Sequence, residues 1–297
     1  MERAASEFRR LSLFRVSVRI RTRFDIWALV EVSNGKALHR KLGKMRGPLS
    51  YIGGKNRLAK RLLEIFPKHK TYVEAFAGGA QVFFRKEPSE VEVLNDLDGE
   101  IVNFYRICQQ HYEELLRYFR FVVVSRKWFD RLKSANPATL TDIQRAARYL
   151  YLLRNCFASL VRNPVYHRNV VQAPSFNLKS LPELIENAHK RLERVQLECA
   201  PYEEIVRRFD RPTTLFYLDP PYWGKNLYRH NLGESDFEKL ADRLGKVRGK
   251  FVLSLNDVPE VRKLFGDFHI QEVELHYTSQ KAAGRRYKEV IITNFKA

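Results

Sequence analysis

The chain has 297 residues, 44% of them hydrophobic and 29% charged, which is enough for one large domain or for a domain that carries an insertion. Its formal net charge is +19, and such a surplus favours a polyanionic partner, nucleic acid first, over a basic protein with no such partner. The composition argues against a disulfide framework or a zinc site, because the three cysteines are scattered, and against a membrane span, because no apolar run approaches ~20 residues.

Residues 1–44 are rich in arginine, which alternates with apolar residues at Phe14, Val16, Val18 and Ile20. This pattern fits a marginal strand, a basic arm that touches phosphates, or an organelle transit peptide. It also fits a start codon assigned too early, with Met45 as the real start. We favour a poorly ordered or dispensable extension.

The first ordered signals form a turn and a nucleotide-binding unit. Tyr51–Lys55 is a glycine-paired turn before a predicted helix over Arg57–Phe66, and Lys55 at the mouth of that helix can meet a carboxylate or phosphate. By itself this turn is more often an ordinary loop. Thr71–Ala80 predicts a strand that runs into a small-residue loop, and Gln81–Phe84 is expected to open a helix. The loop lacks both G-x-G-x-x-G and G-K-[ST], so a dinucleotide or phosphate loop is disfavoured.

A second predicted strand, Val91–Asp96, ends in an acid. An acid at this place can accept hydrogen bonds from ribose hydroxyls. The alternative is that Asp96 caps a helix that begins near Gly99, and the two roles are compatible.

The segment from Asn103 to Lys190 is predicted to be mostly helical, with one helix over Thr141–Asn155 capped by Thr141. The following stretch, Phe157–Asn177, is polar and lacks periodicity. Arginine and asparagine reach base edges and phosphates, so we predict DNA contacts here, the alternative being a solvated loop. The candidate DNA-binding residues are Arg154, Arg162, Asn163, Tyr166, Arg168 and Asn169.

Regular α/β sequence returns with a strand over Val195–Cys199, a short helix over Glu203–Phe209 and a buried strand over Leu215–Leu218. Asp219-Pro220-Pro221-Tyr222 ends that last strand, because proline cannot continue it. An acid is then held at the carboxyl end of a strand, where open α/β sheets bind ligands. Such a site suits an amino group in a fixed pose, with Tyr222 as a flat face for a base. The alternative is a proline-rich turn backed by core aromatics.

The remainder predicts a polar loop over Gly224–Gly233 that can act as a lid. A helix is expected from Ser235, with Glu238 completing a capping box. A strand over Phe251–Leu255 and a hairpin follow, the hairpin built from Phe268–Tyr277 and Glu289–Asn294.

Taken in order, Tyr51–Lys55, Phe76–Ala80, Asn95-Asp96 and Asp219–Tyr222 resemble the motifs of the Dam-type, D12-class DNA adenine N6-methyltransferases. The resemblance extends to Tyr149–Phe157, Ser254–Asp257 and Glu289–Asn294 and covers about residues 47–295. The cofactor motif precedes the recognition region and D-P-P-Y, which is the order of the α group of amino-methyltransferases.

The resemblance implies an α/β fold, a doubly wound Rossmann-like methyltransferase sheet with an inserted, mainly helical target-recognition domain. The catalytic domain would comprise residues 45–105 and 191–297, and the insertion residues 106–190. The cofactor would be S-adenosylmethionine. By residue match, its binding residues would be Tyr51, Lys55, Phe76, Gly78, Gly79, Asp96 and Asp219.

Two positions depart from the family pattern. Ala75 stands where many members have proline, which affects the rigidity of the loop. Ala158-Ser159 stands where many have Asn-Gly, so the target sequence does not carry over. Neither change removes a chemical group.

The implied reaction is a direct methyl transfer to adenine N6 in double-stranded DNA. We expect a cytoplasmic protein of bacterial, archaeal or phage origin. The sequence leaves its oligomeric state open, and we favour a monomer. Asp219 and the Pro220 carbonyl would accept the N–H groups of a flipped base stacked on Tyr222, with no metal involved. The alternatives are an N4-cytosine methyltransferase, which uses similar motifs, and a catalytically inactive DNA-binding relative.

Overall fold

The computed structural model describes residues 19–21, 27–29, 45–51, 55, 58–157, 162–167, 176–276 and 286–296. The chain divides into two compact units, Met1–Lys44 and Met45–Ala297. In the first, strand β1 (Arg19–Arg21) pairs antiparallel with β2 (Trp27–Leu29). The predicted alternation from Phe14 to Val18 lies outside the described residues.

A seven-stranded sheet organises the second unit. Its strands are β3 (Thr71–Glu74), β4 (Val91–Asn95), β5 (Gln196–Glu198), β6 (Thr214–Leu218), β7 (Lys250–Asn256), β8 (His269–His276) and β9 (Arg286–Thr293). The spatial order is β5-β4-β3-β6-β7-β9-β8. The first five strands in this order are parallel to one another, and β9 is antiparallel to both of its neighbours, β7 and β8. The chain moves outward from β3 to β5 and then from β6 to β7, which confirms a doubly wound sheet that carries an antiparallel strand. Its topological switch point lies between β3 and β6.

Nine helices of at least six residues occur in the described part of the unit. They are α1 (Ala59–Ile65), α2 (Gly99–Gln110), α3 (Tyr112–Phe119), α4 (Arg126–Ser134), α5 (Asp142–Asn155), α6 (Leu181–Leu192), α7 (Tyr202–Phe209), α8 (Glu234–Gly245) and α9 (Pro259–Leu264). None of these helices has both the length and the apolarity that a membrane span needs.

The helices cover both faces of the sheet. Tyr72 and Leu215 belong to the apolar cluster that includes residues of α1 to α6, whereas Val73 and Phe216 belong to the cluster that includes residues of α7 to α9. Successive strand residues point to opposite faces, so fully buried strands such as β6 supply both cores.

The predicted inserted segment, residues 106–190, starts inside α2 and ends inside α6. Its helices share one apolar cluster with Leu94 of β4 and Leu215 of β6. The helices therefore pack on the sheet, and the division into two domains stays a prediction.

Several local predictions are corrected. Gln81–Phe84 opens no α-helix, because only a 3-10 turn over Phe83–Arg85 forms there. Helix α2 is capped by Asp98, whose carboxylate accepts from Glu100 N at 3.0 Å, and not by Asp96.

Helix α8 begins at Glu234 and lacks the predicted Ser235/Glu238 box. The carboxylate of Asp236 accepts instead from the backbone N–H of Gly233 at 3.0 Å. The cap at Thr141 is confirmed, because Thr141 and Gln144 bond each other reciprocally at the start of α5.

Candidate active site

A cavity of about 510 Å³ opens at the carboxyl ends of β3, β4 and β6, beside the topological switch point. All seven predicted cofactor residues line it, namely Tyr51, Lys55, Phe76, Gly78, Gly79, Asp96 and Asp219. The parallel register explains this convergence, because strands that run side by side end at one edge of the sheet.

Three of the acidic residues that line this cavity come from the carboxyl ends of three different strands. They are Glu74, Asp96 and Asp219. Burial raises the pKa of Glu74 to about 8, although its side chain accepts from Tyr72 Oη at 2.7 Å and from Phe83 N at 2.8 Å. Ionised carboxylates in this enclosed space favour a ligand with positive charge.

Asp96 ties the small-residue loop to the second strand. Its carboxylate accepts from Gly78 N at 2.8 Å and from Asp98 N at 2.9 Å. Burial raises the pKa of Asp96 to about 6, and these backbone donors oppose the rise.

Gly78 has φ +47°, and a Cβ there would lie 3.1 Å from Cδ1 of Tyr51. The position therefore needs glycine both for its backbone conformation and for the aromatic ring packed on it.

Asp219 is anchored through a single oxygen. Its Oδ1 lies 2.7 Å from Lys55 Nζ and accepts from Ser254 Oγ at 3.1 Å. Burial raises the pKa of Asp219, while Lys55 and Ser254 oppose that rise. The hydrogen bonds found among the described residues all fall on Oδ1, so Oδ2 keeps its capacity to accept from a ligand.

Tyr222 joins the same network. Its hydroxyl accepts from Lys55 Nζ at 2.7 Å. The turn behind it is closed by Asn256, whose side chain accepts from Trp223 N at 3.0 Å and donates to Trp223 O at 3.2 Å. Pro220 is buried in this turn.

The predicted lid loop closes one side of the cavity. Tyr228 stacks on Tyr51 with 5.9 Å between ring centroids, and Arg229 lies 3.3 Å from the buried carboxylate of Asp98. Both residues line the cavity.

The predicted DNA-binding residues are only partly brought together. Arg162 donates to Asn226 Oδ1 of the lid loop at 2.7 Å, and Asn163 has φ +51° at a bend. Tyr166 pairs with Cys156 in an antiparallel bridge, and the guanidinium of Arg126 lies 5.0 Å from its ring centroid.

Arg154 makes a contact within the fold that the sequence did not predict, and its role in DNA binding stays a prediction. It is half-buried and donates to Pro48 O at 2.5 Å, which ties α5 to the segment before Tyr51. Burial lowers the pKa of its guanidinium. Helical periodicity alone left the direction of Arg154 open, and the packing turns it inward. Arg168 and Asn169 lie outside the described residues.

Glu74, Ser254 and Glu289 are not among the site residues predicted from the sequence. The position of Glu74 could have identified it from the sequence, because Glu74 is the last residue of β3 and Asp219 directly follows β6. Ser254 and Glu289 lie within strands β7 and β9, and alternation places their side chains on a face but does not name their partners.

Comparison with known proteins identifies the family. The model of the D12 class N6 adenine-specific DNA methyltransferases matches residues 51–279. The chain is similar to the type II methyltransferase M1.LlaDCHI of Lactococcus lactis subsp. cremoris, with 27% identity over 82% of this chain and 94% of that protein. It is also similar to the DNA N-6-adenine-methyltransferase of Escherichia phage P1, with 27% identity over 75% of this chain but 31% of that protein. The DNA adenine methylase of Escherichia coli (strain K12) is 23% identical over 60% of this chain and 66% of its own length. The chain therefore belongs to the family of D12 class N6 adenine-specific DNA methyltransferases.

Proposed function

We propose that the chain is a site-specific enzyme that transfers a methyl group from S-adenosylmethionine to N6 of an adenine in double-stranded DNA. One observation carries the proposal for this site. Asp219, at the cavity, is held through Oδ1 by Lys55 and Ser254 and keeps Oδ2 to accept from an amino group.

The residues around the cavity fit the cofactor. Asp96 keeps capacity for ribose hydroxyls beyond its two backbone donors, and Tyr51 and Phe76 offer apolar ring surface. When bound, S-adenosylmethionine supplies a methyl group carried on a positively charged sulfonium. The ionised carboxylate of Asp219 favours that charge electrostatically, and Gly78 leaves the backbone open to close approach.

The target amine requires orientation. The lone pair of an exocyclic amine is delocalised into the aromatic ring, so the amine is a weak nucleophile. In the proposed arrangement Asp219 Oδ2 and the Pro220 carbonyl accept its two N–H groups, which directs the lone pair at the methyl group. A base inside a duplex is out of reach, so the adenine is flipped out and stacks on Tyr222.

A basic surface next to the bridge at Tyr166 supports a DNA partner. Six basic side chains in α4 and at the end of α3 are exposed there, and they form no ion pair with any carboxylate in the described ranges. They are Arg117, Arg120, Arg126, Lys127, Arg131 and Lys133. Lys246, exposed at the end of α8, is paired with Asp242 by contrast. Arg131 also lies over the ring of Trp128, at 5.1 Å from its centroid. Unpaired cations of this density suit phosphates.

The test is transfer of labelled methyl from S-adenosylmethionine to mixed-sequence duplex DNA, followed by digestion to nucleosides. We expect the label in N6-methyladenine. Label in N4-methylcytosine would keep the fold and mechanism but overturn the proposed base. Bound cofactor without transfer would favour an inactive relative.

A second test uses two variants. Asp219→Ala should abolish methyl transfer and leave the circular dichroism spectrum unchanged. Asp242→Ala, on the outer surface of α8, is the control and should retain methyl transfer.

A further inference from the structure

The lid loop, residues 224–233, is joined to the segment in which the sequence predicts DNA contacts. Arg162 of that segment donates through Nη1 to Asn226 Oδ1 of the lid at 2.7 Å. Both residues are exposed, and Arg162 forms no ion pair with a carboxylate among the residues that the structure describes. A guanidinium carries five N–H groups, so Arg162 can hold Asn226 and a second acceptor at the same time.

A pair of asparagines connects this contact to the backbone of Tyr228. Asn231 Nδ2 donates to Asn226 Oδ1 at 2.9 Å and to Tyr228 O at 2.7 Å. Asn231 Oδ1 accepts from Tyr228 N at 3.1 Å. Asn226 Oδ1 is therefore shared by Arg162 and Asn231, and one side chain holds both backbone polar groups of Tyr228.

The ring of Tyr228 extends this chain of contacts to the cavity. It stacks on Tyr51 with 5.9 Å between ring centroids and 24° between ring planes. Tyr51 packs in turn on Gly78, where a Cβ would come within 3.1 Å of the Tyr51 ring. All three residues line the cavity. The two stacked rings therefore form a wall of the space that the cofactor would fill.

The lid has a second anchor directly after Tyr228. Arg229 Nη1 lies 3.3 Å from Oδ1 of Asp98, the cap of α2. Asp98 N donates to Asp96 Oδ1 at 2.9 Å, so this anchor leads to the acid proposed to hold the ribose. Arg162 belongs instead to the segment predicted to contact DNA, and its anchor is the one that DNA would reach.

We propose that Tyr228 is a further cofactor-contacting residue, and that Arg162 and Asn226 position it, so that DNA held by Arg162 strengthens cofactor binding. The inference rests on the proposed function. In the free protein, the exposed side chain of Arg162 loses conformational freedom when it holds Asn226. Once an acceptor on DNA has fixed the guanidinium, the contact with Asn226 carries no further ordering cost, and the lid stays closed more of the time. By linkage, the cofactor strengthens DNA binding by the same factor.

The first experiment measures the affinity of the wild type for the cofactor product, S-adenosylhomocysteine, by calorimetry, with and without saturating mixed-sequence duplex DNA. The product has no methyl group to transfer, so no reaction disturbs the equilibrium. We expect DNA to tighten product binding about fivefold, the lower end of the usual range of couplings between two sites, because the contact with Asn226 is exposed. DNA affinity, measured by fluorescence anisotropy, should rise by the same factor when the product is present.

Asn226→Ala removes the shared acceptor and leaves Arg162 in place for DNA. We expect the coupling factor to fall to about one, while DNA affinity without the product stays within about twofold. Asn226→Asp should retain the coupling, because it keeps an acceptor oxygen, and Oδ1 is the atom through which Asn226 bonds Arg162 and Asn231. Lys225→Ala, the adjacent exposed residue of the lid, is the matched control and should leave the coupling factor unchanged.

Tyr228→Ala tests the other end of the chain of contacts. Affinity for the product without DNA should fall about tenfold, as for the loss of an aromatic ring stacked at a ligand site. DNA should no longer tighten product binding in this variant, because the ring that connects the lid to the cavity is gone.

The same coupling factor in the wild type and in Asn226→Ala would overturn the inference, as would a wild type in which DNA leaves the affinity for the product unchanged. If Asn226→Ala weakened product binding equally with and without DNA, the asparagine would be only structural, which also overturns it. Loss of coupling in Asn226→Ala, with coupling retained in Asn226→Asp and Lys225→Ala, would support it. Methyl transfer is measured on the same wild-type preparation, and its absence would contradict the proposed function, which is a separate outcome.

Discussion

Lys55 Nζ lies 2.7 Å from Asp219 Oδ1, although Lys55 precedes the first helix of its unit and Asp219 follows the central strand β6. The lysine side chain is nearly fully buried and so is held in place, while that of Asp219 is 20% exposed toward the cavity. One buried cation thus fixes the acid that is proposed to meet the target amine, and it sets the charge of that acid.

This ion pair predicts a shift in the pH dependence of the reaction for Lys55→Met. Burial raises the pKa of Asp219 and Lys55 lowers it, so without the lysine the pKa rises further. Because the ionised form is the acceptor, the half-maximal single-turnover rate should move to higher pH, by about one unit or more. Lys60→Met, an exposed lysine of α1, is the control. An unshifted profile in Lys55→Met would contradict this account of Asp219.

Glu74 predicts that stability falls as pH rises. Its pKa is about 8 in the folded protein against 4.5 for the unperturbed side chain, so the folded state holds a proton that the unfolded state has lost between these values. Stability should therefore decrease from about pH 5 to pH 8. In Glu74→Gln this part of the decrease should disappear, because the amide does not titrate. Urea unfolding at several pH values measures the free energy of unfolding. If this free energy fell equally steeply with pH in the wild type and in Glu74→Gln, the prediction would be refuted.

Gly78 predicts a loss of cofactor affinity on Gly78→Ala. The left-handed backbone costs about 1 kcal/mol with alanine, and the new methyl group presses on the ring of Tyr51. We expect affinity for the cofactor product to fall roughly tenfold in calorimetry, as for a displaced wall of the pocket. Gly224→Ala separates the two effects, since Gly224 has φ +68° but no atom within 4 Å of a Cβ. Gly224→Ala should lower the stability of the fold about as much as Gly78→Ala does, but it should retain the affinity for the cofactor product.

The basic surface of α4 predicts a change in salt dependence. Lys127→Ala and Lys133→Ala should each weaken DNA binding by a similar factor for all sequences. Each should reduce the slope of log affinity against log salt by about one, as expected for one lost phosphate contact. Fluorescence anisotropy at several salt concentrations measures both, with Lys246→Ala as the paired-lysine control. A loss confined to one DNA sequence would instead indicate base contacts.

The sequence alone determined the sheet architecture and the main site motifs. Four apolar residues that end in Asp219 and two prolines specify a buried strand with an acid at its carboxyl end, and small residues after β3 specify a close-approach loop. Both signals are local in the chain. The rule that parallel strands end at one edge then brings them together without further information.

Only the tertiary structure decided which side chains meet. It paired Lys55 with Asp219 and with Tyr222, and it turned Arg154 toward Pro48. It also made Asp98, and not Asp96, the cap of α2. These contacts join segments far apart in sequence or depend on the rotation of a helix by a fraction of a turn. Periodicity assigns a residue to a face, whereas its partner is set by how that face packs.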